Sequence, residues 1–448
     1  MIPIYDDSKR GRTIVRLGMI AYDALSWDRT LPGHQYLSAS RVAETEPGLR
    51  KAGLRGAGIY YDAQAEFPER LTVENALAAH HHGAMVLTHA RVDRLVVEDH
   101  ILKALGFVDE LDGSRHRVRA RLAINAAGPW VDDVLKSARR PVKRLIGGTK
   151  GSHIVVDDFR GAPKDAIYVE AEDRRPYFIV PWRGQYLIGT TDLRYEGDLD
   201  QVSASEEEID YLIRSTNRVF PDANLSRDRV LFSYAGVRPL PYKPEGEAGA
   251  IHRRHIFHDH RPAIDGLISV VGGKITSARA LAEQAVDMVF ERLGRKAPPC
   301  LTSKRPLPGA DVDDFEAFSL AFTERSGLPA AAAERLLNIY GVRAKELVDS
   351  TRGDEDLLHP IGKHGLLGSE ITFGLQFELA ETLTDVLMRR AMVSLDPAGK
   401  VQAAREAAEI ARRRLDWSKE RADREVDDFV RTARRYGLLT GSEMVARR

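Results

Sequence analysis

Residues 264–289 set the tightest limit on what this chain can fold into. Leu267, Ile268, Val270 and Val271 form a short apolar run, the pattern of a strand buried on both faces. Gly272 and Gly273 break it, and Ala278, Leu281, Ala282, Ala285, Val286 and Val289 then recur at helical spacing. A strand, paired glycines and a helix start bring backbone N–H groups and a positive helix end to one point, where an anion such as pyrophosphate can sit. Lys274 adds a charge at that turn and Thr276 a hydroxyl. An ordinary tight turn between strand and helix fits the same residues.

A second stretch repeats the plan. Leu122-Ala123-Ile124-Asn125 reads as a buried strand, and Ala126-Ala127-Gly128-Pro129-Trp130 turns it into a helix carrying Val131, Val134 and Leu135. Small residues let backbone approach a bulky ligand, with close helix-on-strand packing as the alternative. Two such turns in one chain favour a nucleotide-type site. Between them the pattern alternates, and residues 152–156, 166–169, 177–181, 185–189 and 229–234 read as strands of a largely antiparallel, inserted sheet. A helix is predicted over 204–220, with Ser203 or Ser205 as its cap and Glu206–Glu208 in its first turn. Residues 295–309 form a Pro-rich linker. Beyond it the chain reads as nearly all helix, including a continuous segment over 369–388.

Composition narrows the classes. Lys plus Arg and Asp plus Glu both number 66, so no bulk charge favours nucleic acid. The single cysteine, Cys300, rules out an internal disulfide framework and fits a reducing compartment. The N-terminus lacks the apolar core of a signal peptide, and no run reaches the ~18 apolar residues of a membrane span. The expected location is cytoplasmic. Residues 12–27 have helical periodicity and basic flanks; their apolar face can lie on the core, the favoured reading, or on a membrane surface.

Candidate chemistry gathers at strand ends, in Lys150-Gly151-Ser152-His153, Gly189-Thr190-Thr191-Asp192 and Tyr234-Ala235-Gly236-Val237-Arg238-Pro239-Leu240. Arg238 suits bidentate capture of a phosphate or carboxylate, and a structural salt bridge fits equally well. His153 is the best general-base candidate because imidazole titrates near neutral pH; a structural histidine is the alternative. His80-His81-His82 point in different directions on a helix and do not converge on a metal. His252, His255, His258 and His260 read as a solvated turn.

With these residues on the page, the chain resembles the FAD-dependent glycerol-3-phosphate dehydrogenases. The resemblance rests on Tyr61-Asp62, Arg70-Leu71, Asn125-Ala126-Ala127-Gly128-Pro129-Trp130 and the three strand-end motifs above. It continues through Gly272-Gly273-Lys274-Ile275-Thr276, Tyr340-Gly341, Glu378, Glu381-Thr382-Leu383, Asp385-Val386-Leu387 and Arg389-Arg390. It implies an α/β plus α fold. A Rossmann-like FAD-binding domain (1–145 and 251–295) is interrupted by an antiparallel substrate-binding sheet domain (146–250). A linker (296–310) and an all-helical domain (311–448) follow. The implied reaction passes a hydride from C2 of sn-glycerol 3-phosphate to N5 of FAD, with electrons going on to a membrane quinone. By resemblance Arg238 and Lys274 lie at substrate and flavin, and His153 near the reacting carbon. Gly128, Pro129, Trp130, Gly272, Gly273, Lys274 and Thr276 lie at the cofactor, and Val92 at its adenosine half. Contact with the membrane surface and a homodimer are further expectations.

The chain departs from the pattern at His252-Arg253-Arg254-His255 and Ser277-Ala278-Arg279, mildly. More seriously, it contains no GxGxxG, the turn that opens this family's first βαβ unit of about 30 residues. The expectation is a truncated product or misassigned start, with an incomplete FAD-binding domain and an unpaired apolar edge on the strand at 267–271. Competing readings are a non-catalytic remnant or interaction module, and another FAD-dependent amine or amino-acid oxidase.

Overall fold

A computed structural model describes residues 1–25, 31–245, 251–252, 254–351, 353–361, 365–393 and 400–437. Readings that touch residues 26–27, 246–250, 253 and 438–448 lie outside the described residues. Two compact units emerge from the contacts, one built chiefly from Met1–Glu66 and Lys150–Val237, the other from Phe67–Thr149 and Arg238–Arg435.

The first unit is built on a six-stranded sheet in the order Leu193–Arg194, Thr149–Val156, Gln185–Gly189, Pro176–Trp182, Ile167–Glu170, with Val230–Arg238 also paired to Thr149–Val156. Pairing along Thr149–Val156, Gln185–Gly189, Pro176–Trp182 and Ile167–Glu170 is antiparallel. Register aligns Ile154, Ile188 and Ile179 across three strands, and this row packs in one core with Leu212, Ile213 and Val219 of the helix Glu206–Val219. Each such fully buried side chain contributes roughly 1.5–3 kcal/mol. The helix starts at Glu206, two residues inside the predicted span, because Ser205, one of the two predicted caps, forms a reciprocal capping box with Glu208. Side chains alternate across a strand, so His153 and its register neighbours Gly189 and Phe178 stand on the opposite face.

The N-terminal segment joins this unit through a shared core. Ile2–Tyr5 pairs with Leu54–Ile59, which pairs with Gln35–Ser38. Tyr5, Val42, Leu49, Leu54 and Ala57 enter the same cluster as Ile154 and Ile167, and the Tyr168 N–H donates to the Met1 carbonyl at 2.9 Å. Met1–Glu66 thus share a core with the sheet.

The second unit holds the parallel pair expected from the two turns. Leu267–Val271 is buried throughout. It lies parallel to Ala123–Asn125, with Ser269 beside Asn125, and antiparallel to Ile256–Asp259, with Ser269 beside His258. The unpaired edge expected at 267–271 is therefore absent: a hairpin covers one side and the first turn's strand the other. The solvated turn expected for the histidines is also corrected at His260. That ring is buried, its Nε2 lies 2.8 Å from Ser269 Oγ, and burial pushes its pKa down to about 4.

The C-terminal region is helical, but the predicted continuous helix over 369–388 is broken. Gly368–Phe377 ends at Glu378, and Leu379 takes φ +56°. The break serves an ion cluster. Arg70, from the helix Pro68–His81, donates to both Glu378 oxygens at 2.8 Å and to Glu74 at 2.8 Å. Arg343 donates to Glu378 and to Glu74, and the Glu74 carboxylate also accepts the Gly309 N–H at 2.7 Å. Carbonyls released by the break are taken by Arg390, Nε to Glu378 O at 2.9 Å and Nη2 to Leu379 O at 3.1 Å. A π-helical segment, Asp385–Arg390, follows. Among the described residues no helix is long and apolar enough to cross a membrane.

Candidate active site

Parallel strands end at a common edge, and that edge gathers most of the predicted site in the second unit. The Ala123–Asn125 strand passes into the turn Gly128–Trp130 and a short helix, Val131–Lys136. Asn125 closes the turn: its Nδ2 donates to Val131 O at 3.0 Å, and its Oδ1 accepts the Ala127 N–H at 3.3 Å. Gly128 takes φ +58° with nothing within 4 Å of where a Cβ would stand, so bare backbone is presented there. Trp130 is 40% exposed.

Beside it, Gly272 and Gly273 take φ +78° and +103°. A Cβ on Gly272 would meet Arg254 O at 2.8 Å, so this position is confined to glycine. The Gly272 N–H donates to Pro239 O at 2.8 Å; it holds the Arg238 segment rather than standing open to an anion. Leu240 O accepts the Gly147 N–H at 2.9 Å on the other flank. Arg238, at the end of Val230–Arg238, is thereby fastened next to the glycine turn. Lys274 and Thr276 are exposed, and the helix Ala278–Arg292 begins only after a 3₁₀ turn, Ile275–Ser277. The structure thus brings Gly128, Pro129, Trp130, Arg238, Gly272, Gly273, Lys274 and Thr276 to one sheet edge. Val92 sits on Ala90–Glu98, half-buried against the apolar cluster that contains Leu95, Leu102 and Leu267.

His153 belongs to the first unit. Its ring lies over Gly189, where an added Cβ would overlap the imidazole carbons, and stacks on Tyr234 with centroids 4.9 Å apart and planes 11° from parallel. The residues around it in the motifs are structural. Lys150 Nζ binds Glu208 Oε2 at 2.7 Å, Thr191 Oγ1 donates to Glu208 Oε1 at 2.7 Å, and the Ser152 N–H donates to Thr191 Oγ1 at 2.9 Å. Burial pushes the Glu208 carboxyl up, but Lys150, the Ser205 backbone, Thr191 and Ser152 together hold it below the usual range. Two contributors were missed from sequence. Asp132 accepts the Leu145 and Ile146 N–H groups at 2.9 and 3.0 Å and so sets the entry to the His153 strand. Tyr234 stands at the head of the Arg238 motif, with no sequence signal for its stack on His153.

Residues 7–288 match the family of FAD dependent oxidoreductases, and residues 300–422 match the C-terminal domain of alpha-glycerophosphate oxidase. The chain is 42% identical over 444 residues to the glycerol-3-phosphate dehydrogenase of Synechocystis sp., covering 96% of this chain and 80% of that protein. It is 31% identical to the aerobic glycerol-3-phosphate dehydrogenase of Staphylococcus haemolyticus, covering 87% and 71% respectively. Among solved structures, the glycerol-3-phosphate dehydrogenase from Bacillus halodurans complexed with FAD superposes with a TM-score of 0.78 at 28% identity, over 97% of this chain and 81% of that one.

Proposed function

Because the chain belongs to the FAD-dependent glycerol-3-phosphate dehydrogenase family, we propose that it oxidises sn-glycerol 3-phosphate to dihydroxyacetone phosphate and delivers the electrons to a membrane quinone. The observation that carries this is the 42% identity sustained over 96% of the chain. FAD, when bound, supplies the hydride acceptor. Bare backbone at Gly128, with nothing within 4 Å of where a side chain would stand, suits a bulky cofactor at the carboxyl ends of parallel strands. Arg238 binds the substrate phosphate through its bidentate guanidinium, on a main chain fastened just after it by the Gly272 N–H to Pro239 O and the Gly147 N–H to Leu240 O. Lys274, exposed on a strand-to-helix turn, adds a positive charge. His153 takes the hydroxyl proton as C2 is oxidised, a step that positioned bases accelerate by about 10²–10⁴-fold.

Membrane contact has a candidate surface in the helix Arg12–Leu25. Val15 and Met19 are buried, whereas Ile14, Leu17, Ile20 and Leu25 are 59, 62, 49 and 85% exposed. Arg12 and Arg16 flank that apolar stripe, the make-up of a helix that lies in an anionic lipid interface.

The test is a flavin spectrum of the purified chain. The expected result is a yellow protein bleached anaerobically by sn-glycerol 3-phosphate and reoxidised faster by a quinone analogue than by oxygen. A colourless protein, or a flavin that the substrate leaves oxidised, would overturn the proposal; rapid peroxide release would replace quinone by oxygen as acceptor.

A further inference from the structure

We propose that Tyr234 is a positioning residue for His153: with the Gly189 backbone it forms a clamp that fixes the imidazole plane. The inference rests on the reading of His153 as the base. Three neighbouring strands build the clamp. His153 lies on Thr149–Val156, Gly189 is its register partner on Gln185–Gly189, and Tyr234 comes from Val230–Arg238, which also pairs with the His153 strand. All three groups belong to the first unit.

Two planar walls meet the ring. On one, the missing side chain of Gly189 makes room for it: an added Cβ would overlap Cδ2 and would stand 2.9 Å from Nε2. On the other, Tyr234 lies at 4.9 Å and 11°, a stacked geometry. A histidine χ2 is broad and roughly two-fold when unrestrained, so an isolated ring on an open sheet face would sample many planes. Flat walls leave in-plane orientations only. Nδ1 is buried, and the proposal places the proton transfer at Nε2. The clamp also bears on the charge of the ring. A proton arriving at Nε2 makes an imidazolium, and an aromatic face attracts a cation. Tyr234 therefore stands where its ring face can stabilise the protonated product of the transfer. Neither effect needs the phenol oxygen, which makes Tyr234→Phe the conservative control.

The experiment compares steady-state kinetics of the FAD-loaded parent, Tyr234→Leu, Tyr234→Phe, His153→Asn and the double variant Tyr234→Leu/His153→Asn. Loss of the stack is expected to lower kcat roughly 3- to 10-fold in Tyr234→Leu, at nearly constant KM. The low-pH limb of its kcat profile should move to lower pH, and Tyr234→Phe should restore both. The leucine change should add nothing once His153 is gone, since two residues acting through one group are not additive. Retained flavin absorbance and melting temperature in Tyr234→Leu separate positioning from misfolding. The proposal is overturned if Tyr234→Leu keeps the parent rate and pH limb, if Tyr234→Phe fails to restore them, or if the leucine loss persists undiminished without His153. Should His153→Asn alone leave kcat unchanged, it is the base assignment that fails, and the clamp falls with it.

Discussion

Arg70, Glu378 and His153 all stand in segments that resemble one enzyme family, yet their surroundings differ in kind. Around Glu378, two guanidinium groups and a carboxylate are sealed from water, with Arg70 over the Tyr340 ring at 4.8 Å and Arg343 over the Phe373 ring at 5.0 Å. Burial pushes Glu378 up, but Arg70 and Arg343 outweigh it and keep the carboxyl below its usual range. His153 is half-buried on a sheet face and held by ring contacts on its two sides. The first environment fixes charge, at a desolvation cost that makes such clusters modest net stabilisers but expensive to break. The second fixes orientation. A charged residue in a pattern-rich segment is thus sorted into fastening or chemistry by what surrounds it, not by its type.

The widest separation between the two regions should come from deleting one member of each. Glu378→Ala strands two buried arginines and is expected to cost about 3–5 kcal/mol in denaturant melts, with little effect on the kcat of whatever remains folded. His153→Asn is expected to reverse the pattern, shifting stability by under ~1 kcal/mol and lowering kcat about 10²–10⁴-fold. Equal stability losses in both variants would erase the distinction. A smaller effect is expected at Gly189. The added methyl of Gly189→Ala meets ring atoms of His153, and the ring has to shift; overpacking of this kind costs about 1–3 kcal/mol. A fall in kcat larger than the stability loss explains, with flavin retained, would place that methyl on the chemical side of the divide.

Local pattern carried the parts of the fold that local physics decides. The apolar run at 267–271, the paired glycines after it and the capping box of Ser205 and Glu208 were all readable because each acts over a few residues. What was not readable depends on distance or on the partner. Arg70 and Glu378 are 308 positions apart, and no periodicity announces that they meet. The break at Leu379 comes directly after the carboxylate that both arginines hold, a long-range pairing that no local pattern reports. Likewise the strand at 267–271 was expected to have an open edge because the βαβ unit that would flank it in the family pattern is missing, whereas the hairpin partner that covers it, Ile256–Asp259, carries mixed polar residues and no clear strand signal. At the site, glycines and charges were visible as types, whereas Tyr234 was not, because a stacking partner is defined only by the ring it faces.

The smallest expected effect tests a place between the two extremes. His89 Nε2 lies 2.6 Å from Asp385 Oδ2, with side chains 26% and 9% exposed. The hydrogen bond to Asp385 raises the His89 pKa above its ordinary 6.5, against burial and against Arg389, whose Nη1 is 3.3 Å from Asp385 Oδ1. Burial alone would raise Asp385, but His89, Thr382 and the Glu381 N–H hold it well below the carboxylate range. A group whose folded pKa is raised contributes fully below its unfolded value and loses that contribution as pH climbs through the folded one. Asp385 behaves in the opposite sense, contributing above its ordinary value of 3.8 and losing it as pH falls through its depressed one. The stability difference between the parent and His89→Gln should therefore be about 1 kcal/mol or less. It should be largest between the ordinary values of the two groups, 3.8 and 6.5, and fade as the pH climbs through the raised His89 value. A difference that stays constant over that range would mean the pair holds by packing rather than charge, and would move it to the side of neither the Glu378 cluster nor the His153 clamp.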